Sequence, residues 1–472
     1  MTPASERRPQ AGVASVVLPT RSEGESDTPR VKPAQGNPLP CTTQGSPLAM
    51  TSEHITIGTA TRGLSSNVPV TIDPAARARH TFISGQTGTG KSVLLRNIAA
   101  QLAASGSGFA FIDPHGENAE ALVSLIPSSR AAELVYIDLS DTANSIGLNF
   151  LADVPAAKRA TAAANVVAAF VHIWGKEAVG DRSQEVLRNS LIALMEAGEA
   201  TLLSVLRLLR SDTYRTEIIS KVEDPLVRSY WVEAFGTWDD RFRDQVTAPI
   251  SNKLDACLTH PAIRNIVSQP KNTIDIRKMM DERRILIANL NKGGVGEQTC
   301  RFFGALLVSA ISSAAFSRSD IPEDQRVPFD LVLDEFSSVI TTDISTILSE
   351  ARKYRLQLTL ATQYLDQIPP DILSSVFGNT GTYISLRLGA DDAREMAKQF
   401  GVDGRAFLDL KNFTARARPL MNGDPGTPEY VVLLPPALPL HSRAGQLIQN
   451  STTRFARKRE EIEARIKRLF AV

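Results

Sequence analysis

The octet Gly85-Gln86-Thr87-Gly88-Thr89-Gly90-Lys91-Ser92 constrains this chain more than any other feature. It fits G-x-x-x-x-G-K-[ST] without a gap. Such a loop works only between a strand and a helix. Its glycines let the chain wrap so that backbone N–H groups converge on phosphate oxygens. The helix after the loop adds the partial positive charge of its N-terminus. The flanks agree with this: Thr81-Phe82-Ile83 reads as a short buried strand, and Val93 to Leu102 reads as the helix. Residue type then assigns roles. The loop from Gly85 to Gly90 cradles phosphates, Lys91 reaches the β- and γ-phosphates, and the Ser92 hydroxyl holds Mg²⁺. A nucleotide and Mg²⁺ are the expected ligands.

The rest of the chain extends that unit into an α/β fold. Gly108-Phe109-Ala110-Phe111-Ile112-Asp113 is a buried strand ending in the turn Pro114-His115-Gly116, and Leu134 to Asp138 repeats the form. Alternating strands and helices predict a mostly parallel sheet covered on both faces. Residues 51–154 form the first part of this core, with short strand-like pieces between Ser52 and Asp73. Residues 155–282 break the rhythm. Helical spacing dominates, as in Val186, Leu187, Ser190, Leu191, Leu194 and Met195, and an all-helical insertion is expected there. Strands return over Arg284–Leu290, Phe329–Leu333, Leu356–Ala361 and Thr382–Arg387, within a second core part spanning 283–440. A turn at Asn422-Gly423-Asp424-Pro425-Gly426 joins two further strands as a hairpin. Pro435, Pro436 and Pro439 are expected to end the fold. Residues 441–472 come after them as a basic tail with Arg454, Arg457, Lys458, Arg459, Arg465, Lys467 and Arg468 against Glu460, Glu461 and Glu463.

Residues 1–50 hold 8 of the 27 prolines and few apolar residues, which predicts disorder, with Met50 a candidate internal start. Lys+Arg 52 against Asp+Glu 51 excludes a protein-wide basic field, so nucleic-acid contact has to be local. The cysteines Cys41, Cys257 and Cys300 fit no disulfide or zinc spacing, which suggests a reducing cytoplasm. The most apolar run, Phe303–Phe316, is short of the ~20 residues a membrane span needs and reads as a core helix. Peripheral attachment to a membrane complex stays open.

Binding alone needs only the loop; hydrolysis needs acids. Phe329-Asp330-Leu331-Val332-Leu333-Asp334-Glu335-Phe336 is an apolar strand with two carboxylates after it. Asp334 at its carboxyl end is placed near Mg²⁺, and Glu335 is placed to polarise the attacking water. The alternative is a solvated acidic pair at a strand end. Gln363, after the strand ending Ala361-Thr362, is a candidate sensor of the γ-phosphate, or else a surface glutamine. Arg387 comes directly after the strand Tyr383–Leu386. An arginine there can stabilise transferred charge in a neighbouring subunit or close a salt bridge at a sheet edge, and residue type alone does not separate these. Asp113-Pro114-His115-Gly116-Glu117 reads as a structural loop near the nucleotide, since His115 has no spaced metal-ligand partner.

Taken together, Ser84–Ser92 (SGQTGTGKS), Phe111–Glu117 (FIDPHGE), Leu331–Phe336 (LVLDEF) and the run Ile347–Pro369 leading into Gly378–Ala393 resemble the ATPases of the HerA/FtsK superfamily. They are most similar to the TraG/TraD-type DNA-transfer coupling ATPases found with type IV secretion systems. The resemblance covers roughly residues 55–440. It implies a RecA-like P-loop NTPase core, usually a homohexameric ring, that hydrolyses ATP to translocate DNA. It also implies a sensor role for Gln363 and action in trans for Arg387. Implied partners are DNA, further copies of the chain, and a secretion-channel, relaxosome or nuclease partner, in a cytoplasmic setting. The N-terminal membrane helices of the membrane-bound coupling proteins are not expected from these residues, and Glu117 stands where an Asp is common. Candidate DNA contacts are Arg352, Lys353 and Arg355 with the interleaved Tyr354, and the basic tail. A HerA-like motor in DNA processing or anti-phage defence, a secretion ATPase moving protein, and a nucleotide-gated scaffold are the other readings.

Overall fold

A computed structural model describes residues 53–340, 344–421 and 423–470. The expectations for residues 1–50, including Met50 and Cys41, lie outside the described residues. In chain order, β1 (Ile55–Arg62) and β2 (Ser65–Ile72) form an antiparallel hairpin. Then β3 (Thr81–Ser84) leads through the glycine loop into α1 (Lys91–Ala104). β4 (Gly108–Asp113), α2 (Glu117–Val123) and β5 (Leu134–Asp138) complete the first part. Between 155 and 282 the described elements are helical. The main ones are α3 (Arg159–Trp174), α4 (Asp181–Glu196), α5 (Leu202–Arg210), α6 (Asp212–Ser220) and α7 (Asp240–Leu258). The second part brings β6 (Ile285–Asn289), α8 (Glu297–Phe316), β7 (Phe329–Leu333), β8 (Leu356–Thr362) and β9 (Thr382–Ser385). β10 (Thr414–Arg418) and β11 (Glu429–Leu433) form the expected hairpin, pairing Thr414 with Val432 and Ala417 with Glu429.

One sheet takes in these eleven strands, in the order β2-β1-β11-β10-β9-β3-β8-β7-β4-β6-β5. From β9 to β5 every neighbour is parallel; from β9 back to β2 every neighbour is antiparallel. The parallel half explains its own sequence. Successive side chains of a strand point to opposite faces, and both faces are covered, so its strands are apolar throughout rather than alternating. On β4, Phe109 and Phe111 enter the core beneath α1, while Ala110 and Ile112 enter the core beneath α8 and the helices of 155–282. The helical stretch thus shares one continuous core with a sheet face, and residues 49–472 form one compact unit.

Helix α8 is longer than the apolar run alone predicts. With the turn at its end, Glu297–Asp320 is long and apolar enough to cross a membrane by length and composition, but 72% of its most apolar window is buried inside the fold. Cys300, Phe302, Phe303, Leu306, Leu307 and Ile311 face the shared core.

The prolines at 435, 436 and 439 do not end the fold. Past them, α9 (Ala444–Phe455) and α10 (Arg459–Phe470) flank a short strand, Ala456–Lys458, which pairs antiparallel with Asn144–Ile146. Leu447 is buried in the α1-side core, and the Ser451 hydroxyl accepts the Tyr136 N–H at 2.8 Å. The apolar spacing Ala444, Leu447, Ile448 marks a helix face, which the charge count of this segment conceals.

Candidate active site

The sheet order assembles the site. Parallel register sets Ser84 beside both Thr362 and Ser385, Leu333 beside Leu360, and Ile112 beside Leu333. The carboxyl ends of β9, β3, β8, β7 and β4 therefore lie along one edge. The residues just past these strand ends emerge there: Arg387, the glycine loop, Gln363, Asp334-Glu335 and Asp113-Pro114. Open α/β sheets bind their ligands at that edge.

The loop itself is tightly held. Its Gly85 N–H donates to the Thr362 carbonyl at 3.3 Å, and its Gln86 N–H to the Arg387 carbonyl at 3.0 Å. The Thr89 hydroxyl donates to the Gln86 carbonyl at 2.6 Å. Gly90 has φ +114°, and a Cβ there would sit 2.9 Å from Cδ1 of Phe413, so glycine is required on both counts. α1 begins at Lys91, with no side chain capping its N-terminus. Its free N–H groups and dipole are left to an anion.

Lys91 donates from Nζ to Oε2 of Glu335 at 3.0 Å, across 244 residues of sequence. Glu335 sits just past β7 with φ +49° and is only 8% exposed. Its Oε1 accepts from the Ser337 hydroxyl at 2.9 Å, the Gln363 N–H at 3.3 Å and the Thr362 hydroxyl at 3.4 Å. Burial pushes the Glu335 carboxyl up, but Lys91, Ser337 and the Gln363 N–H outweigh it and hold the group below its ordinary value. Asp334 is held the other way. Burial raises it, Asp113 and Glu335 add to the rise, and Lys91 only partly offsets them.

Asn118 escapes sequence reasoning. Its side-chain amide donates to Oδ2 of Asp334 at 2.7 Å. Asn118 is placed by the Asp113 loop, because the Asp113 carboxylate accepts the N–H groups of His115, Asn118 and Ala119 at 2.8–2.9 Å and so caps α2. The Asp113–Glu117 loop is accordingly structural, with His115 and Glu117 exposed. A single sequence carries no sign that an asparagine five residues after Asp113 meets an acid 216 positions later.

The residues fit a nucleotide with Mg²⁺. No group of three or more His, Cys, Asp or Glu among the described residues forms a cage for a metal. Mg²⁺ does not need one: one or two carboxylates together with substrate phosphates hold it. A buried carboxylate destabilised by its acidic neighbours, beside a phosphate loop, is such a site. Ser92, in the first turn of α1, and Asp334, just past β7, are the candidate residues for it.

The remaining candidates are partly brought in. Gln363 is half-buried beside Glu335. Arg387 lies two residues beyond β9, its backbone against the loop of its own chain and its guanidinium donating to the Leu410 carbonyl at 3.4 Å. Arg352 and Lys353 are exposed, but at the opposite, amino end of β8. Tyr354 is not free to stack on a base. It packs edge-on against Phe316 with centroids 5.0 Å apart, and the Arg326 guanidinium covers it at 5.0 Å. In the C-terminal segment, Arg454 donates to the Ala132 carbonyl at 2.5 Å and Arg459 pairs with Glu463 at 2.7 Å, while Arg457, Lys458, Arg465, Lys467 and Arg468 are exposed.

Residues 55–228 match the family model of the central domain of the helicase HerA. Residues 328–406 match the TraM recognition site of TraD and TraG. No curated protein matches the chain. Among solved structures, the plasmid coupling protein TrwB in complex with a non-hydrolysable GTP analogue is 16% identical, covering 85% of this chain and 98% of that one at a TM-score of 0.61. TrwB with a non-hydrolysable ATP analogue is also 16% identical, with the same coverage and a TM-score of 0.59. VirB4 of Thermoanaerobacter pseudethanolicus is 14% identical over 82% of this chain and 97% of that one, at a TM-score of 0.54. With this fold and these two family matches, the chain is a P-loop ATPase similar to the conjugative coupling proteins of the HerA/FtsK superfamily.

Proposed function

We propose that the chain is an ATP-driven DNA translocase of the coupling type, working in conjugative or mobile-element DNA transfer and hydrolysing ATP at the subunit interfaces of a ring. The observation that carries the reading is the meeting of Lys91 with Asp334 and Glu335. The acids belong to the segment that matches the coupling-protein family, 328–406, and the loop to the segment that matches HerA, 55–228.

The geometry supports a sequence of residue actions. Lys91 and Glu335 pair across the site. A γ-phosphate is a stronger partner for Lys91 than a carboxylate and draws the ammonium onto itself. Glu335 then loses its cation and becomes more basic, while Ser337, Thr362 and the Gln363 N–H still aim it. In that state it can accept a proton from water. Mg²⁺, if held by Ser92 and Asp334, would supply charge to the β- and γ-phosphates, and Asn118 holds the Asp334 carboxylate through its 2.7 Å hydrogen bond. Gln363 is the sensor in this scheme, and Arg387 acts on the neighbouring subunit's nucleotide.

The test is the steady-state ATPase rate with and without single- and double-stranded DNA, alongside native mass in ATP. The proposal expects stimulation by DNA and a nucleotide-dependent closed ring. A rate indifferent to DNA but dependent on a secretion-channel partner would replace the cargo with protein. Dependence on a partner nuclease would instead select DNA processing.

A further inference from the structure

We propose that Phe413 is the platform on which the nucleobase stacks. This deepens the nucleotide-binding reading and rests on it.

The direction of the bound nucleotide is set by the sheet. The γ-phosphate end of the loop is marked by Lys91 and Glu335, on the β8–β7 side of β3. The nucleoside must leave on the other side, where β9, β10 and β11 lie. Phe413 stands there, one residue before β10. Its N–H donates to the Thr89 carbonyl of the loop at 2.8 Å, and its carbonyl accepts the Leu433 N–H at 3.0 Å. These two bonds fasten it to the loop and to β11 at once. Its ring lies against the Cα of Gly90, close enough that a single methyl group there would collide.

Three features are hard to account for by packing alone. Phe413 is 46% exposed although it adjoins the phosphate loop. The residue has φ +61°, where a bulky side chain is an outlier. Its turn is braced by the Thr414 hydroxyl, which donates to the Lys411 carbonyl at 2.7 Å. The result is a fixed, half-exposed aromatic face beside the loop on the nucleoside side. Stacking on an aromatic ring tolerates any base, because every base has a π-face. The platform would therefore hold adenine and guanine alike without reading their hydrogen-bonding edges.

The experiment compares equilibrium affinities of the full chain for ATP, GTP and inorganic tripolyphosphate, the last carrying the phosphates without a base. Phe413→Ala is expected to weaken ATP and GTP by a common factor of roughly 5- to 100-fold and to leave tripolyphosphate unchanged. Phe413→Trp should retain both nucleotide affinities. Phe413→Leu, which keeps apolar bulk against Gly90 without a π-face, should behave like the alanine variant and guards against a folding defect. Unchanged ATP affinity in Phe413→Ala overturns the platform and leaves the nucleotide reading standing. An equal loss for tripolyphosphate also overturns it, since Phe413 would then act by shaping the loop. Wild-type protein that binds none of the three overturns both readings.

Discussion

At the scale of single residues, the site is a competition for Lys91. The ammonium sits 3.0 Å from Glu335, and both side chains are nearly buried, so neither can lose the other without a replacement. Lys91→Ala is expected to abolish measurable ATP binding. Glu335→Gln keeps the shape and the hydroxyl contacts but removes the base, so it should bind ATP and turn over 10²- to 10⁴-fold more slowly, roughly the worth of a positioned general base. Normal hydrolysis by Glu335→Gln in single-turnover assays would remove Glu335 from the mechanism. Asn118→Ala takes the 2.7 Å donor from Asp334 and should weaken Mg²⁺ roughly 10- to 100-fold while leaving metal-free nucleotide binding unchanged. A Mg²⁺ titration of ATPase activity, beside ATP binding in chelator, separates the two effects. Lys91, Asp334 and Glu335 were legible because their chemistry is written as local motifs. Asn118 and Phe413 were not, because each acts through a residue hundreds of positions away or across a loop.

At the scale of elements, two buried groups at the amino ends of sheet strands oppose each other in pH. His80 bridges three segments: its Nδ1 accepts the Leu358 N–H at 3.1 Å, and Nε2 donates to the Leu348 carbonyl at 3.1 Å. Burial lowers its pKa to about 4. Between pH 6.5 and 4 the unfolded chain takes up a proton that the folded chain refuses, so this group costs stability as pH falls, by up to about 3 kcal/mol. Asp330 on β7 is the reverse case. Burial raises it to about 6, only partly offset by Arg77 at 3.2 Å. The folded chain holds a proton that the unfolded chain has lost, so this group costs stability as pH rises from about 4 to 6, by a similar amount. The two slopes nearly cancel. Asp330→Asn should uncover a protein that weakens between pH 6.5 and 4.5 in denaturant melts, and a flat profile there would contradict the His80 assignment. The docked C-terminal segment gives a second test. Leu447→Ala, at a position buried in the α1-side core, should cost about 2–3 kcal/mol by chemical denaturation; a free tail would show nothing.

At the scale of the whole molecule, hydrolysis is proposed to need a neighbour. The backbone of Arg387 braces the loop of its own chain, while its guanidinium lies beside Leu410 near the same edge of the sheet. Arg387→Ala is therefore expected to bind ATP normally and lose turnover. Mixing Arg387→Ala with Glu335→Gln subunits tests the action in trans: mixed assemblies should recover activity at interfaces where an intact Arg387 meets an intact Glu335. No recovery in mixtures that do assemble would place the arginine's role within its own subunit.

The sequence by itself determined the phosphate loop, the acids just past β7, the parallel α/β core and the helical character of 155–282, because each is set by local spacing and residue chemistry. Only the tertiary structure decided which strands are neighbours. That order brings Arg387, Gln363 and Glu335 to the edge where the loop ends, returns the last helices past three prolines onto β5, and sets an aromatic ring against Gly90. Pairing in a sheet is chosen by what buries both faces together, a sum over the whole chain that no local stretch contains.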